Sequence, residues 1–166
     1  RAIWLGINLL TAFLGAWVIG RFEDTIQQLV ALAILMPVVA GMGGIAGSQT
    51  LTIAIRGIAL GHIAKTNIKP LLIKELSIGI LNGIFWSSVV AIIVIIWFGQ
   101  FSLGIIIGAS MMINLIIAAL AGATIPIILK HYGIDPAIAG GVILTTVTDV
   151  VGFITFLGLA TIFLIG

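Results

Sequence analysis

Asp149 is the only charged residue between Ala137 and Gly166, the last apolar run of the chain. An ionised carboxylate at the centre of a membrane span costs about 2.5–3.5 kcal/mol on insertion scales, and such groups face a bundle interior or a water-filled cavity. Gly141, Thr145, Asp149 and Gly152 recur at i, i+4, i+8 and i+11, so a helix puts them on one face. Thr145 adds a hydroxyl and a carbonyl one turn before the carboxylate, and the two glycines leave backbone uncovered. The result is an oxygen-lined strip with one negative charge, suited to a cation or to proton relay. The competing role is structural: a protonated or hydrogen-bonded Asp149 joining helices, with threonines bonded back to the carbonyl one turn earlier.

A second informative stretch runs from Met36 to Thr52. Pro37 removes a backbone donor near the carbonyl of Ala33 and predicts a kink. Gly41, Gly44, Ser48 and Thr52 share a small, polar face inside an apolar span. Uncovered backbone at membrane depth is tolerated where it lines a cavity. The alternative is close helix packing, which the Gly43/Gly47, Gly57/Gly61, Gly79/Gly83 and Gly104/Gly108 pairs also suggest. Asn8, Asn82 and Asn114 read as polar glue between helices. His62 and His131 lack a second ligand at zinc spacing. No Ser/His/Asp arrangement, phosphate loop or carboxylate pair within one segment is present, so the chain is not read as an enzyme.

Carboxylate, hydroxyl and carbonyl oxygens are hard ligands, which suit Mg²⁺, Ca²⁺ or Mn²⁺. Mg²⁺ keeps several waters, so a pore for it is wide and wet. One Asp149 cannot neutralise a divalent ion; two can, in a two-fold homodimer with the last helix at the axis.

Composition dictates the elements that position these residues. Of 166 residues, 61% are hydrophobic and 7% charged, with net charge +2. A soluble domain carries about 25% charged residues. A soluble enzyme, a disordered chain and a nucleic-acid binder are all excluded, and an integral membrane protein remains. There is no cysteine and therefore no disulfide or thiol chemistry. Charges fall between apolar runs and define five spanning helices at about 2–20, 26–60, 72–98, 102–130 and 137–165. The fold class is all-α, one transmembrane pore domain over residues 1–166, with helix two kinked. No period-2 alternation supports a β-barrel. Residues 2–20 form a retained helix, since Gly20-Arg21-Phe22 is not a cleavage site. Arg1, Arg56, Lys65, Lys69, Lys74 and Lys130 fall on one side of the membrane and Arg21 on the other. That asymmetry puts the N-terminus in the cytoplasm and the C-terminus outside, in a multi-pass protein of the cell membrane. Glu23 and Asp24 read as a solvated outer loop.

The run Pro37-Val-Val-Ala-Gly-Met-Gly-Gly-Ile-Ala-Gly-Ser-Gln-Thr, then Arg56-Gly-Ile-Ala-Leu-Gly, then Thr145-Thr-Val-Thr-Asp-Val-Val-Gly-Phe, resembles the transmembrane domain of MgtE-type magnesium transporters. The resemblance covers essentially the whole chain. It implies a homodimeric Mg²⁺-selective channel with its pore at the dimer interface, built from helices two and five. It implies that Asp149 contacts the hydrated ion. Matching pore-lining positions are Gly41, Gly44, Ser48 and Thr52 on helix two, and Gly141 and Thr145 on helix five. Ile45 stands where the family pattern reads Asn. The family's cytoplasmic N-terminal and CBS domains, which sense Mg²⁺ and gate the pore, are not in this sequence, and Arg1 in first place favours trimming of a longer protein. The leading expectation is passive Mg²⁺ entry, with Mn²⁺, Co²⁺ or Ca²⁺ as other candidate ions. Inward movement of a divalent ion gains about 4.6 kcal/mol per 100 mV, so no energy-coupling motif is needed. The alternatives are a proton- or sodium-coupled carrier in which Asp149 titrates, and a non-transporting subunit in which it holds a partner helix.

Overall fold

The computed structural model describes residues 2–62 and 67–165. Six helices follow one another: α1 (Ala2–Gly20), α2 (Glu23–Gln28), α3 (Ala31–Ala59), α4 (Ile68–Phe98), α5 (Phe101–His131) and α6 (Pro136–Ala160), the last extended by a π-helical turn, Thr161–Ile165. All but α2 are long and apolar enough to cross a membrane. No strand occurs among the described residues. Of the residues expected on the basic side, Lys65 and Arg1 lie outside the described residues.

The expected single helix over 26–60 is two. Leu29 is extended (φ −141°, ψ 91°), and its N–H closes on the Thr25 carbonyl. Thirty-five residues at 1.5 Å each would measure about 52 Å, against a hydrocarbon layer of about 30 Å. The break removes α2 from the span. A tertiary contact holds α2 in its new place, because the Thr25 and Thr161 hydroxyls hydrogen-bond at 2.7 Å. The α3 helix itself runs on past Pro37 to Ala59.

The other boundaries follow local chemistry. Pro70 sits in the first turn of α4, where no intrahelical donor is needed, so α4 begins one turn before the expected residue 72. Gly99, with φ 67°, caps α4 and lets the chain reverse into α5. Asp135 caps α6 by accepting from Ala137 N at 3.0 Å, with Pro136 in the first turn.

Helix α5 is the most buried and packs on α3, α4 and α6; α3 also packs on α6, and α1 packs mainly on α6. Small residues set these distances. A methyl on Gly79 would lie 2.9 Å from Ala119 Cβ, and one on Gly83 2.6 Å from Met112 Sδ. Gly104 is equally tight against Ile95 and the Ala91 carbonyl. These glycines are packing residues, as expected. Gly61 is not: it has φ 73° and nothing within 4 Å, and it ends α3 in the left-handed conformation.

Candidate cation-conducting face

Helices α3 and α6 cross closely because glycines let side chains interlock. A methyl on Gly47 would lie 2.8 Å from Leu144 Cδ1, one on Gly140 3.1 Å from Leu51 Cδ1, and one on Gly44 4.0 Å from Thr148 Oγ1. The numbers fall on α6 as they rise on α3, so the pair is antiparallel. Gly44 stands level with Thr148, Gly47 with Leu144, and Leu51 with Gly140.

Residues one position earlier on α3 face α5. Gly43 abuts the Asn114 amide, and a methyl on Gly122 would lie 2.6 Å from the Gly47 carbonyl and 2.9 Å from Thr50 Cβ. Residues one position later point the other way, turned about 100° past the contact. On α3 these are Gly41, Ile45, Ser48 and Thr52, all exposed. On α6 they are Gly141, Thr145 and Asp149, all half-buried. In an antiparallel pair the same one-residue offset turns both sets to the same side. The expected strips therefore meet on one face, opposite α5, in three levels: Thr52 with Gly141, Ser48 with Thr145, Ile45 with Asp149. Gly44 lies in the seam itself, at the edge of this face. Gly152 is not on it; it is buried against Asn114 and Val39.

The hydroxyls on this face are oriented by their own helices. Ser48 Oγ donates to the Gly44 carbonyl (2.7 Å), Thr52 Oγ1 to the Ser48 carbonyl (2.9 Å), and Thr145 Oγ1 to the Gly141 carbonyl (2.9 Å). The back-bonding alternative thus holds for all three. It spends each hydroxyl proton inward, so what remains toward the face is an acceptor oxygen. Asp149 makes no hydrogen bond or ion pair with any described residue. The face carries one carboxylate and acceptor oxygens, an arrangement that attracts cations. Among the described residues, no three His, Asp or Glu side chains gather into a metal cage.

One end of α6 opens into a cleft of about 610 Å³ lined by Trp4, Asn8, Gly141 and Thr145 among others. Of the three asparagines expected as glue, Asn114 does that work: it is fully buried, and its Nδ2 donates to the Val39 carbonyl at 3.0 Å. Asn8 and Asn82 are exposed.

Sequence analysis gave Glu75 no role. It lies in α4, 4% exposed, in the stripe Glu75, Gly79, Gly83 and Ser87 that α4 buries. The signal was there: the four-residue spacing of Gly79 and Gly83 extends back to Glu75.

Comparison with known proteins agrees with this architecture. The MgtE family model, a divalent cation transporter family, matches residues 36–159. The chain is 38% identical over 164 residues to the "Magnesium transporter MgtE" of Bacillus subtilis (strain 168). It is 30% identical to the protein of that name from Thermus thermophilus and 29% identical to that from Enterococcus faecalis. Each match covers 99% of this chain but 36% of the relative, so the chain spans about a third of the length of the curated relatives it matches. With five membrane-crossing helices and a family match over most of its length, this multi-pass membrane protein belongs to the MgtE family of divalent cation transporters.

Proposed function

We propose that the chain forms the membrane pore of a Mg²⁺ transporter. Two copies pair through the α3–α6 faces, and the ion passes between them down its electrochemical gradient. The arrangement that carries this reading is Asp149, half-buried and without a partner, on a face whose hydroxyl protons are all turned inward. A membrane protein that leaves such a face uncovered needs an occupant for it. A second copy supplies a second Asp149, and two carboxylates balance one divalent charge. Mg²⁺ retains several waters, and acceptor oxygens on a wide face hold those waters without stripping them. The relatives' names agree with that ion.

Arg56 lies in the last turn of α3, Lys130 and His131 in the last turn of α5, and Lys69 and Lys74 in the first turns of α4. We place this basic end in the cytoplasm, with the N-terminus inside.

The test is Mg²⁺ flux into liposomes holding the purified chain and a Mg²⁺-sensitive dye. Flux that scales with membrane potential and ignores a pH or sodium gradient is expected. Asp149→Asn lowers it by about tenfold or more, since losing about 1.4 kcal/mol of ion stabilisation is about tenfold in occupancy. Wild-type flux in that variant refutes the role of Asp149. Flux that requires a proton or sodium gradient refutes the passive channel. No divalent flux from a folded protein leaves only the subunit reading.

A further inference from the structure

Asn8 has no role in a conducting face built from α3 and α6 alone. It lies in the second turn of α1 and is exposed. Its backbone carbonyl accepts from Thr11 Oγ1 at 2.8 Å, while its side-chain amide bonds no described residue. Turned to lipid, such an amide would be desolvated without compensation.

Helix α1 borders the conducting face. Around α6, Gly140, Leu144 and Thr148 meet α3. Gly141, Thr145 and Asp149 come about 100° further round. Phe153, about 140° beyond Thr148, meets α1, where a methyl on Gly15 would lie 3.7 Å from its ring. The strip Gly141, Thr145 and Asp149 therefore runs along a trough with α3 as one wall and α1 as the other. The trough is open at Gly141, where an added methyl meets nothing within 4 Å. Helices α1 and α6 run parallel, since Gly15 stands beside Phe153 while Trp4 and Asn8 share the cleft of about 610 Å³ with Gly141 and Thr145. Counting back equally from Gly15 and Phe153 puts Asn8 level with Thr146, about one turn from Asp149 and toward the basic end.

We infer that Asn8 lines the inner reach of the conduction path, so that α1 forms its third wall. The inference rests on the pore reading above. The amide Oδ1 accepts from the water shell of a passing divalent cation, beside the Thr145 hydroxyl oxygen, whose proton is turned into its own helix. An octahedral shell of waters at about 30 Å³ each takes roughly 180 Å³. The cleft admits such an ion with its waters in place. The rest of the lining includes Leu5, Ile138 and Val142, which offer an ion nothing to bind. Weak holding suits a passage, because a conducted ion must leave as readily as it enters.

The test places a charge at this position. The chain contains no cysteine, so Asn8→Cys carries a single thiol. The purified variant is reacted in detergent with a cationic or an anionic methanethiosulfonate, then reconstituted for Mg²⁺ flux. The cationic adduct is expected to pass Mg²⁺ about threefold more slowly than the anionic one, or slower still, as unit charges of opposite sign ~10 Å from a divalent ion in water would dictate. Leu10→Cys, 70% exposed and about 200° round α1, gives the same flux with either adduct. Asn8→Leu lowers flux about threefold and leaves Tm in detergent unchanged, because the amide holds no other helix. A thiol at Asn8→Cys that does not react, flux blind to the sign of its adduct, equal sign dependence in Leu10→Cys, or a fall in Tm with normal flux in Asn8→Leu each overturns the inference. Sign-blind flux that still depends on Asp149 removes the α1 wall and keeps the pore; no flux from the unmodified chain fails the pore reading, and this inference with it.

Discussion

The side-chain amide of Asn114 donates to the backbone carbonyl of Val39 at 3.0 Å, tying the middle of α5 to α3 two residues beyond Pro37. Gly43 and Gly152 press on the same amide from two sides, and its Oδ1 has no partner. Asn114 is thus held by shape and one hydrogen bond at the junction of α3, α5 and α6. Gly43→Ala drives a methyl into it, and overpacking of this kind costs about 1–3 kcal/mol. A fall in Tm of about 2–12 °C is expected in detergent, at about 2–4 °C per kcal/mol. An unchanged Tm contradicts the packing.

Gly41→Ala is the matched comparison, two residues away on the opposite side of the helix. Nothing lies within 4 Å of its new methyl. Tm therefore holds or rises slightly, because alanine suits a helix better than glycine by up to about 1 kcal/mol. Mg²⁺ flux in liposomes falls, because the methyl narrows the proposed pore. A variant with lowered Tm and normal flux reverses both assignments.

Ile45 is 64% exposed on the face, level with Asp149. An apolar side chain beside the one carboxylate removes a place for water or an amide oxygen. Ile45→Asn supplies that oxygen in register with Asp149, so the ratio of Mg²⁺ to Ca²⁺ flux in the same vesicles is expected to change at least about threefold, a difference of roughly 0.6 kcal/mol. An identical ratio puts Ile45 against lipid rather than ions.

These contrasts show what the sequence made legible. Five spans were readable because charges occur almost only between apolar runs, and lipid leaves the backbone no choice but helices. The two strips were readable because four-residue spacing groups Ser48 with Thr52, and Gly141 with Thr145 and Asp149. Periodicity cannot say which side of a strip faces a neighbour. Gly43 and Gly41 look alike in sequence, and only the contacts with Asn114 separate them. The break at Leu29 was hidden for a related reason. No charge, Gly or Pro marks it, and the contact that holds α2 joins Thr25 to Thr161, 136 positions away. Glu75 carries no motif of its own, and its burial depends on which side of α4 meets α5.

The pairing of two α3–α6 faces is open to a direct chemical test, because the chain contains no cysteine. Every disulfide formed by a single-cysteine variant then joins two copies. Bridging requires the two Cα atoms within about 7 Å. Ser48 is exposed on the face, one position past the buried Gly47, and its hydroxyl bonds only its own helix, so Ser48→Cys leaves the fold intact. Ile96 is 78% exposed on α4, which packs on α5 and lies away from this face. Oxidation in the membrane with copper phenanthroline is expected to convert Ser48→Cys, or its neighbour Thr52→Cys one turn away, to a dimer on a non-reducing gel, and to leave Ile96→Cys a monomer. Dimers from Ile96→Cys alone move the contact to α4. In that case the two Asp149 carboxylates cannot share an ion, and charge balance for Mg²⁺ must come from elsewhere.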